Sequence, residues 1–249
     1  MTGCAKKTGR HGMPFGLDKL FTKERAAEPE SSKDKGIRLA KAGDFEQAIE
    51  AFTEYVVDEP EDFFGFNAIA VCHKNLGDHA KAMQNFERAL EFADTSEERA
   101  KVQANIGNLY FSADKPQTAL DRYKMAAAES DKNPFYLILV ARAFVVLGDY
   151  DRARKVLAAA EEIHSNLDKY EQDDDKGLGD YFMAQVYTAL GDEEKVFQRM
   201  EGALKANPQR YVARIEKDVS DEKSLLYTLK DDPRLVRILR KYAPKASQT

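Results

Sequence analysis

The chain has 249 residues, of which 33% are charged and 43% are hydrophobic, and its formal net charge is -5. The charge is uneven, because residues 1–28 carry +3 and residues 233–249 carry +5, which leaves -13 on residues 29–232. An acidic body argues against nucleic acid as a partner, since phosphates need a basic surface, and no apolar run reaches the roughly 20 residues of a membrane-spanning helix.

Residues 1–30 contain several glycines and prolines and show little periodicity, so we expect a flexible N-terminal tail there. The segment from Met1 to Cys4 resembles the end of a bacterial lipoprotein signal, in which small residues precede a lipidated cysteine. The apolar leader that such a signal requires is absent from these residues. Two hypotheses follow. If a leader preceded Met1, Cys4 is a lipidation site on a periplasmic or outer-membrane lipoprotein; otherwise the protein is cytoplasmic.

Residues 31–208 follow the pattern of helices separated by short turns. A Gly-Asp pair recurs in these turns, where the glycine ends one helix and the aspartate can cap the next. The pairs are Gly43-Asp44, Gly77-Asp78, Gly148-Asp149 and Gly191-Asp192. The first two glycines lie 34 residues apart, which is the period of one kind of tandem two-helix repeat.

The residues between these turns resemble the tetratricopeptide-repeat (TPR) family. In that family, small residues let the two helices of a repeat approach closely, and large residues from neighbouring units fill the gaps. Five units of this chain follow the pattern, at Gly36, Ala48, Phe52 and Pro60; Ala70, Ala82, Phe86 and Ala89; Gly107, Tyr110, Ala119, Tyr123 and Ala126; Ala141, Phe144, Ala153, Leu157 and Ala160; and Ala184, Tyr187, Ala203 and Pro208. The resemblance implies an all-α fold, a right-handed TPR superhelix (an α-solenoid) with about five repeats over residues 31–208.

The fourth repeat departs most from the pattern, because it is nine residues longer than the period. Helical spacing of apolar residues continues to about Tyr170, and an acidic turn from Glu171 to Asp175 follows. This insertion, residues 168–177, suggests an alternative function as a sensor or enzyme that depends on a metal or a small ligand. It lacks the alternate-residue ligands and the closing glutamate of a calcium loop, so a solvated acidic turn is the competing interpretation.

The pattern decays after Pro208. We predict a degenerate helical pair and a capping helix over residues 209–243, with the last helix beginning at Pro233, and a disordered end at residues 244–249. A capping helix is expected because the final repeat would otherwise expose its packing face. Its basic residues could also contact an anionic membrane, although its apolar stripe already suits the capping role, at Leu235, Ile238, Leu239 and Tyr242.

The resemblance also implies a binding surface, because the first helix of each TPR pair lines a concave groove. Asparagine side chains there can donate to and accept from a peptide backbone, and aromatic side chains offer apolar contacts. The expected partner-binding residues are Phe64, Asn67, Val71 and Lys74 in the second unit; Lys101, Asn105, Asn108 and Phe111 in the third; Phe135, Ile138 and Arg142 in the fourth; and Tyr181 and Gln185 in the fifth. The carboxylate clamp of chaperone-binding members is not expected, because only Lys33 and Lys101 match its five positions.

These features predict a protein-interaction adaptor or scaffold rather than an enzyme. No nucleophile motif, Gly-rich phosphate loop or paired-carboxylate motif is present, and we expect no cofactor and no metal. The expected partner is a protein or peptide segment in the concave groove, in a bacterial envelope or another multiprotein assembly, and self-association stays open. A membrane would be contacted only through a lipid anchor at Cys4. Cys72 is interpreted as a buried, inert thiol and His73 as a packing residue.

Overall fold

The computed structural model describes residues 30–130, 133–165 and 173–243. Over these ranges every regular element is helical, so the predicted all-α solenoid is confirmed. The helices are α1 (Ser32–Ala42), α2 (Phe45–Asp58), α3 (Phe63–Asn75), α4 (His79–Glu91), α5 (Ser96–Ser112), α6 (Pro116–Glu129), α7 (Pro134–Val146), α8 (Tyr150–Ser165), α9 (Asp173–Leu190), α10 (Glu193–Ala206), α11 (Pro208–Ser220), a 3-10 helix (Tyr227–Leu229) and α12 (Pro233–Tyr242). Consecutive helices pack in pairs, from α1 with α2 to α9 with α10.

The turns between the two helices of a pair confirm most of the predicted capping. All four glycines of the Gly-Asp pairs are left-handed, with φ between 76° and 92°. Asp78, Asp149 and Asp192 each accept a hydrogen bond from the backbone N–H three residues later, whereas the Asp44 side chain makes no capping bond. In the third unit, Asp114 takes the left-handed conformation in place of glycine, with φ 57°, which aspartate tolerates better than most residues.

Two further helix starts have well-defined caps. The Thr95 hydroxyl accepts from the Glu98 backbone N–H (3.2 Å), and the Glu98 carboxylate accepts from the Thr95 backbone N–H (3.0 Å). This reciprocal capping box begins α5. The last helix begins at Pro233. Proline suits the first turn because it has no backbone N–H that would lack an acceptor there.

The core is built from the small and large positions of the repeat. A Cβ atom at Gly36 would lie 2.5 Å from the Phe52 ring, and one at Gly107 would lie 2.4 Å from the Tyr123 ring. Only glycine therefore permits these two helix pairs to approach as closely as they do. The alanines at the first small position of four second helices are fully buried, at 0% exposure: Ala48, Ala82, Ala119 and Ala153.

The long fourth repeat differs in part from the prediction. Helix α8 is described as far as Ser165, and the predicted continuation to Tyr170 lies outside the described residues. Asp173, Asp174 and Asp175 belong to the first turn of α9 and not to a turn. Negative charge at a helix N-terminus is favourable, and this preference explains why an acidic run can begin a helix.

A partly buried polar network joins α8 to α9 and α10. The Arg199 guanidinium donates to Glu161 (2.7 Å) and to Asp180 (3.1 Å), and Lys195 donates to the other Glu161 oxygen (3.0 Å). His164 lies 3.3 Å from Asp180, and both side chains are buried. Charged groups that are buried with partners of opposite sign fix the relative position of the helices that carry them.

The C-terminal elements pack against the main core. The residues predicted as a degenerate pair form α11 and, after a turn, the 3-10 helix. In α12, Leu235 is buried, and Ile238, Leu239 and Tyr242 pack against the main core. Two α12 cations pair with acidic residues of α10, Arg234 with Glu193 and Lys241 with Glu201. None of the helices that the structure describes is long and apolar enough to cross a membrane.

Candidate functional site

The candidate site is the inner face, defined here as the surface of α3, α5, α7, α9 and α11. The first four are the first helices of successive pairs, and each contacts the next: α3 with α5, α5 with α7, and α7 with α9. Side-chain contacts continue the surface to α11, where Asp218 accepts a hydrogen bond from the Tyr181 hydroxyl of α9. The inner face therefore brings together residues that are far apart in the sequence.

The predicted partner-binding residues all lie on these helices, but their exposure differs. Four are buried, with at most 5% of their surface exposed, and these side chains support the inner face rather than line it: Asn67, Ile138, Tyr181 and Gln185. Lys101 is exposed. The half-buried remainder lines the surface: Phe64, Val71, Lys74, Asn105, Asn108, Phe111, Phe135 and Arg142.

The asparagines that were predicted as a row are hydrogen-bonded within the protein. The Asn105 amide nitrogen donates to the Asn67 carbonyl oxygen (2.9 Å), which joins α5 to α3. The Tyr123 hydroxyl donates to the Asn108 carbonyl oxygen (2.9 Å). Among the described residues, neither Asn105 Oδ1 nor Asn108 Nδ2 has a hydrogen-bond partner, so each can still serve a ligand backbone.

Stacked arginine and aromatic side chains run along the inner face from α5 to α11. The Arg142 guanidinium carbon lies 4.0 Å from the Phe111 ring centroid and 5.0 Å from that of Phe182. The Arg214 guanidinium carbon lies 5.4 Å from the Phe182 centroid and 4.4 Å from that of Tyr181. These distances are those of cation–π contacts. We call these five residues the arginine–aromatic ladder.

A buried glutamine holds this ladder in place. Arg142 Nε donates to Gln185 Oε1 (2.8 Å), and Gln185 Nε2 lies within hydrogen-bond distance of both the Tyr181 hydroxyl and Asp218 Oδ2, at 3.0 Å in each case. The Tyr181 hydroxyl also donates to Asp218. Asp218 Oδ2 thus accepts hydrogen bonds from Tyr181 and Gln185. The terminal nitrogens of Arg142 have no acceptors among the described residues.

The inner face is locally positive, although most of the chain is acidic. Burial lowers the pKa of Lys74, and the positive charge of Arg214 lowers it further. Burial likewise lowers the pKa of Arg142, and Arg214 adds to this effect. No carboxylate of the described residues forms an ion pair with any of these three groups. We call Lys74, Arg142 and Arg214 the groove cations.

The first unit provides a contrast. Lys33 Nζ lies 3.6 Å from Asp62 Oδ2, donates to the Tyr55 hydroxyl (3.1 Å) and lies 4.3 Å from the Phe64 ring centroid. Its charge is balanced within the protein. Lys33 of α1, which contacts Phe64 of inner helix α3, therefore has a carboxylate partner, whereas the groove cations do not form an ion pair within the described residues.

Sequence analysis missed Phe182, Arg214 and Asp218. The pattern after Pro208 looked degenerate, so the family positions were not extended to α11. The signal was nevertheless present, because Arg214 and Asp218 are separated by one helical turn and follow Tyr211 on the same face. If residues 208–220 had been interpreted as the first helix of a sixth pair, Arg214 and Asp218 would have been predicted on the inner face.

Several other predictions can be compared with the structure. Cys72 is buried, and burial raises the pKa of its thiol to about 11, which confirms the inert-thiol interpretation. His73 is half-buried, and burial lowers its pKa. Within the described residues no group of three or more His, Cys, Asp or Glu side chains could hold a metal ion. Cys4 and most side chains of the insertion at residues 168–177 lie outside the described residues.

Comparison with known proteins identifies the repeat. Two tetratricopeptide-repeat family models match the chain, one over residues 65–128 and the other over residues 104–168. The Photosystem I assembly protein Ycf3 of Synechococcus sp. (strain CC9605) is 31% identical over 61 residues, which are 24% of this chain. A Ycf3 from Synechococcus sp. (strain CC9311) is 33% identical over the same length. The chain spans 35% of the length of these curated relatives.

Solved structures agree on the fold. A chain of the APC/C hetero-tetramer Cut9-Hcn1 has a TM-score of 0.58 and 14% identity, and the match covers 88% of this chain and 44% of that one. Pseudomonas aeruginosa pilF has a TM-score of 0.53 and 14% identity, with 85% and 86% covered. The two family models show that residues 65–168 contain tetratricopeptide repeats, and the solved structures share the overall fold of the described helices.

Proposed function

We propose that this protein is an adaptor or scaffold that binds an extended or helical segment of a partner protein along its inner face. Tetratricopeptide repeats generally mediate contacts between proteins, and solenoids use extended concave surfaces for this purpose. The observation that carries the proposal is the arginine–aromatic ladder, which is continuous over α5, α7, α9 and α11. Arginine and aromatic side chains are the types that contribute most to protein interfaces.

The arrangement of the inner face suits a peptide ligand. Phe64, Phe111 and Phe135 are half-buried, so part of each ring is available for side-chain contacts. The amide groups of Asn105 and Asn108 keep free hydrogen-bonding atoms beside these rings. The buried side chains behind them are packed or hydrogen-bonded, so little side-chain ordering is needed when a ligand binds.

A role in a multiprotein assembly is supported by the relatives. Ycf3 is named for the assembly of Photosystem I, and Cut9-Hcn1 is a hetero-tetramer of the APC/C. We extend this setting to the present chain as part of the proposal. Placement in a bacterial envelope depends on Cys4, and intact-mass measurement of protein purified from its native host would detect the acyl chains that lipidation adds there.

A selected peptide tests the proposed surface. A random peptide library displayed on phage is selected against the full chain, and the affinity of the most enriched peptide is measured by calorimetry. Phe111→Ala removes one ring of the ladder and should weaken binding by about tenfold or more. Tyr150→Ala removes an aromatic side chain of α8 that is 46% exposed, and it should leave the affinity unchanged.

Circular dichroism establishes that both variants are folded before binding is measured. Equal affinities for wild type and Phe111→Ala would contradict the proposal. So would a peptide that binds Phe111→Ala normally but loses affinity for Tyr150→Ala, since α8 is the second helix of its pair.

A further inference from the structure

We infer that the inner face is built to hold an acidic segment of a partner protein, whose carboxylates contact the groove cations Lys74, Arg142 and Arg214. The inference rests on the proposed function, because it names the chemistry of the segment that the inner face would bind. It depends on three observations: convergence of charge, lack of counter-charge and free donor groups.

The groove cations come from three separate helices. Lys74 lies near the end of α3, Arg142 is in α7 and Arg214 is in α11. Arg142 and Arg214 both lie over the Phe182 ring, and Lys74 is half-buried on the same inner face. Residues that are far apart in the sequence therefore contribute positive charge to one surface.

The positive charge at this place exceeds the negative charge that faces it among the described residues. Asp218 is the acidic residue that acts on Arg142, but it supplies one negative charge against three cations, and its hydrogen bonds are to the uncharged Tyr181 and Gln185. Elsewhere in the fold a partly buried arginine has its carboxylates, as Arg199 has Glu161 and Asp180. Like charges that are brought together in a partly buried place destabilise the free protein. An anion from outside would relieve this repulsion.

The donors of the cluster are suited to carboxylates. No acceptor among the described residues contacts Lys74 Nζ or the terminal nitrogens of Arg142. The stacked rings hold the Arg142 guanidinium in a fixed plane, which favours two-pronged contact with a carboxylate. The half-buried Phe111 ring beside Arg142 also offers apolar contact, so the favoured ligand combines acidic with aromatic or aliphatic side chains.

The chain's own ends do not complement the groove cations. Residues 1–28 carry +3 and residues 233–249 carry +5, so both have the same sign as the cluster. The remaining occupant within this protein would be an acidic segment of a second copy, such as residues 171–175. The experiment below separates that occupant from a different protein.

The probe is the phage-displayed random peptide library, selected on the full chain in low and in high salt. We expect the low-salt pool to be enriched in Asp and Glu. A synthetic peptide of the leading sequence should bind about tenfold or more tightly than the same peptide with Asn and Gln in place of its acids. Its affinity should fall as salt is added, because charge contacts are screened.

Lys74→Met distinguishes binding from folding. This change removes a half-buried charge that has no counter-charge, so the melting temperature of the free protein should stay equal or rise. Affinity for the acidic peptide should nevertheless fall by about tenfold. Lys155→Met is the matched control, because Lys155 is an exposed lysine on α8, the second helix of its pair; it should change the affinity by no more than about twofold.

The outcomes separate this inference from the proposed function. If the pool is not enriched in acidic residues but its leading peptide binds Phe111→Ala more weakly, the inner face is still the binding surface and the acidic-ligand inference is overturned. A leading peptide that is insensitive to Phe111→Ala overturns the groove itself. If no peptide is enriched and sedimentation shows a dimer that Lys74→Met dissociates, the occupant is a second copy and the inference is overturned. No enrichment without a dimer contradicts both proposals.

Discussion

Replacing Gly107 with alanine tests how the repeat pattern is built into the core. Gly107 lies in α5 against the Tyr123 ring of α6, and the added Cβ atom would lie 2.4 Å and 2.6 Å from two ring carbons. Tyr123 is 0% exposed, and its hydroxyl donates to Asn108 at 2.9 Å. The ring is therefore held both by packing and at its polar end, and it cannot move aside without loss of that bond.

The expected magnitude follows from two opposing effects. Overpacking of a core costs about 1–3 kcal/mol, and contacts this short favour the upper half of that range. Alanine is favoured over glycine in a helix by about 1 kcal/mol, so the net destabilisation is about 1–2 kcal/mol. For a domain of this size that corresponds to a fall in melting temperature of about 2–8 °C.

Gly179→Ala provides the matched control, because Gly179 is also inside a helix. The nearest atom to its added Cβ would be a His164 ring carbon at 3.4 Å, an ordinary contact. This variant should be as stable as the wild type, or more stable by up to about 1 kcal/mol. Urea unfolding followed by far-UV circular dichroism measures both. If Gly107→Ala is no less stable than Gly179→Ala, the proposed close approach of α5 and α6 is wrong.

Three further predictions concern stability and reactivity. Burial alone would raise the pKa of Glu161, but hydrogen bonds from side chains of α9 and α10 outweigh burial and lower the pKa. The ionised Glu161 should therefore stabilise the fold above about pH 4.3, the pKa of an unfolded glutamate, and this stabilisation should be lost as the pH falls below that value. Glu161→Gln should be less stable than the wild type at neutral pH, and its urea midpoint should change less as the pH is lowered. Identical midpoints for the two proteins at every pH would contradict this. Cys72, with its pKa raised to about 11 by burial, should react with maleimide only after unfolding, and rapid labelling of the native chain would be inconsistent with its burial. Deletion of residues 1–28 should leave the melting temperature nearly unchanged, since no periodic apolar face there belongs to the repeats; a large fall would mean that these residues pack on the solenoid.

Local patterns were sufficient to predict most of the fold. Gly107 and Tyr123 could be placed as a small and a large partner because their spacing matches that of the other units. The capping role of α12 followed from its single apolar stripe. The exceptions were also local: Asp44 does not cap its helix, and the acidic run from Asp173 begins a helix rather than forming a turn. In each case one residue type suits two neighbouring conformations, and packing decides between them.

The candidate site was less predictable, because it depends on curvature and on contacts between distant helices. Family positions correctly placed Gln185 and Arg142 on inner helices, but they could not indicate that Gln185 is buried and holds Arg142. Arg142 of α7 and Arg214 of α11 both contact the Phe182 ring of α9, although the three residues lie in different repeat units. No short stretch of sequence contains that information.

The central claim is that a partner segment binds along the inner face, and site-specific photocross-linking tests it most directly. A photoreactive phenylalanine replaces either Lys101, which is exposed on inner helix α5, or Met125, which is 50% exposed on α6, the second helix of the same pair. Each protein is irradiated with the selected peptide and analysed by mass spectrometry. The account predicts a cross-link from position 101 and none from position 125. A cross-link from position 125 with none from position 101 would contradict it.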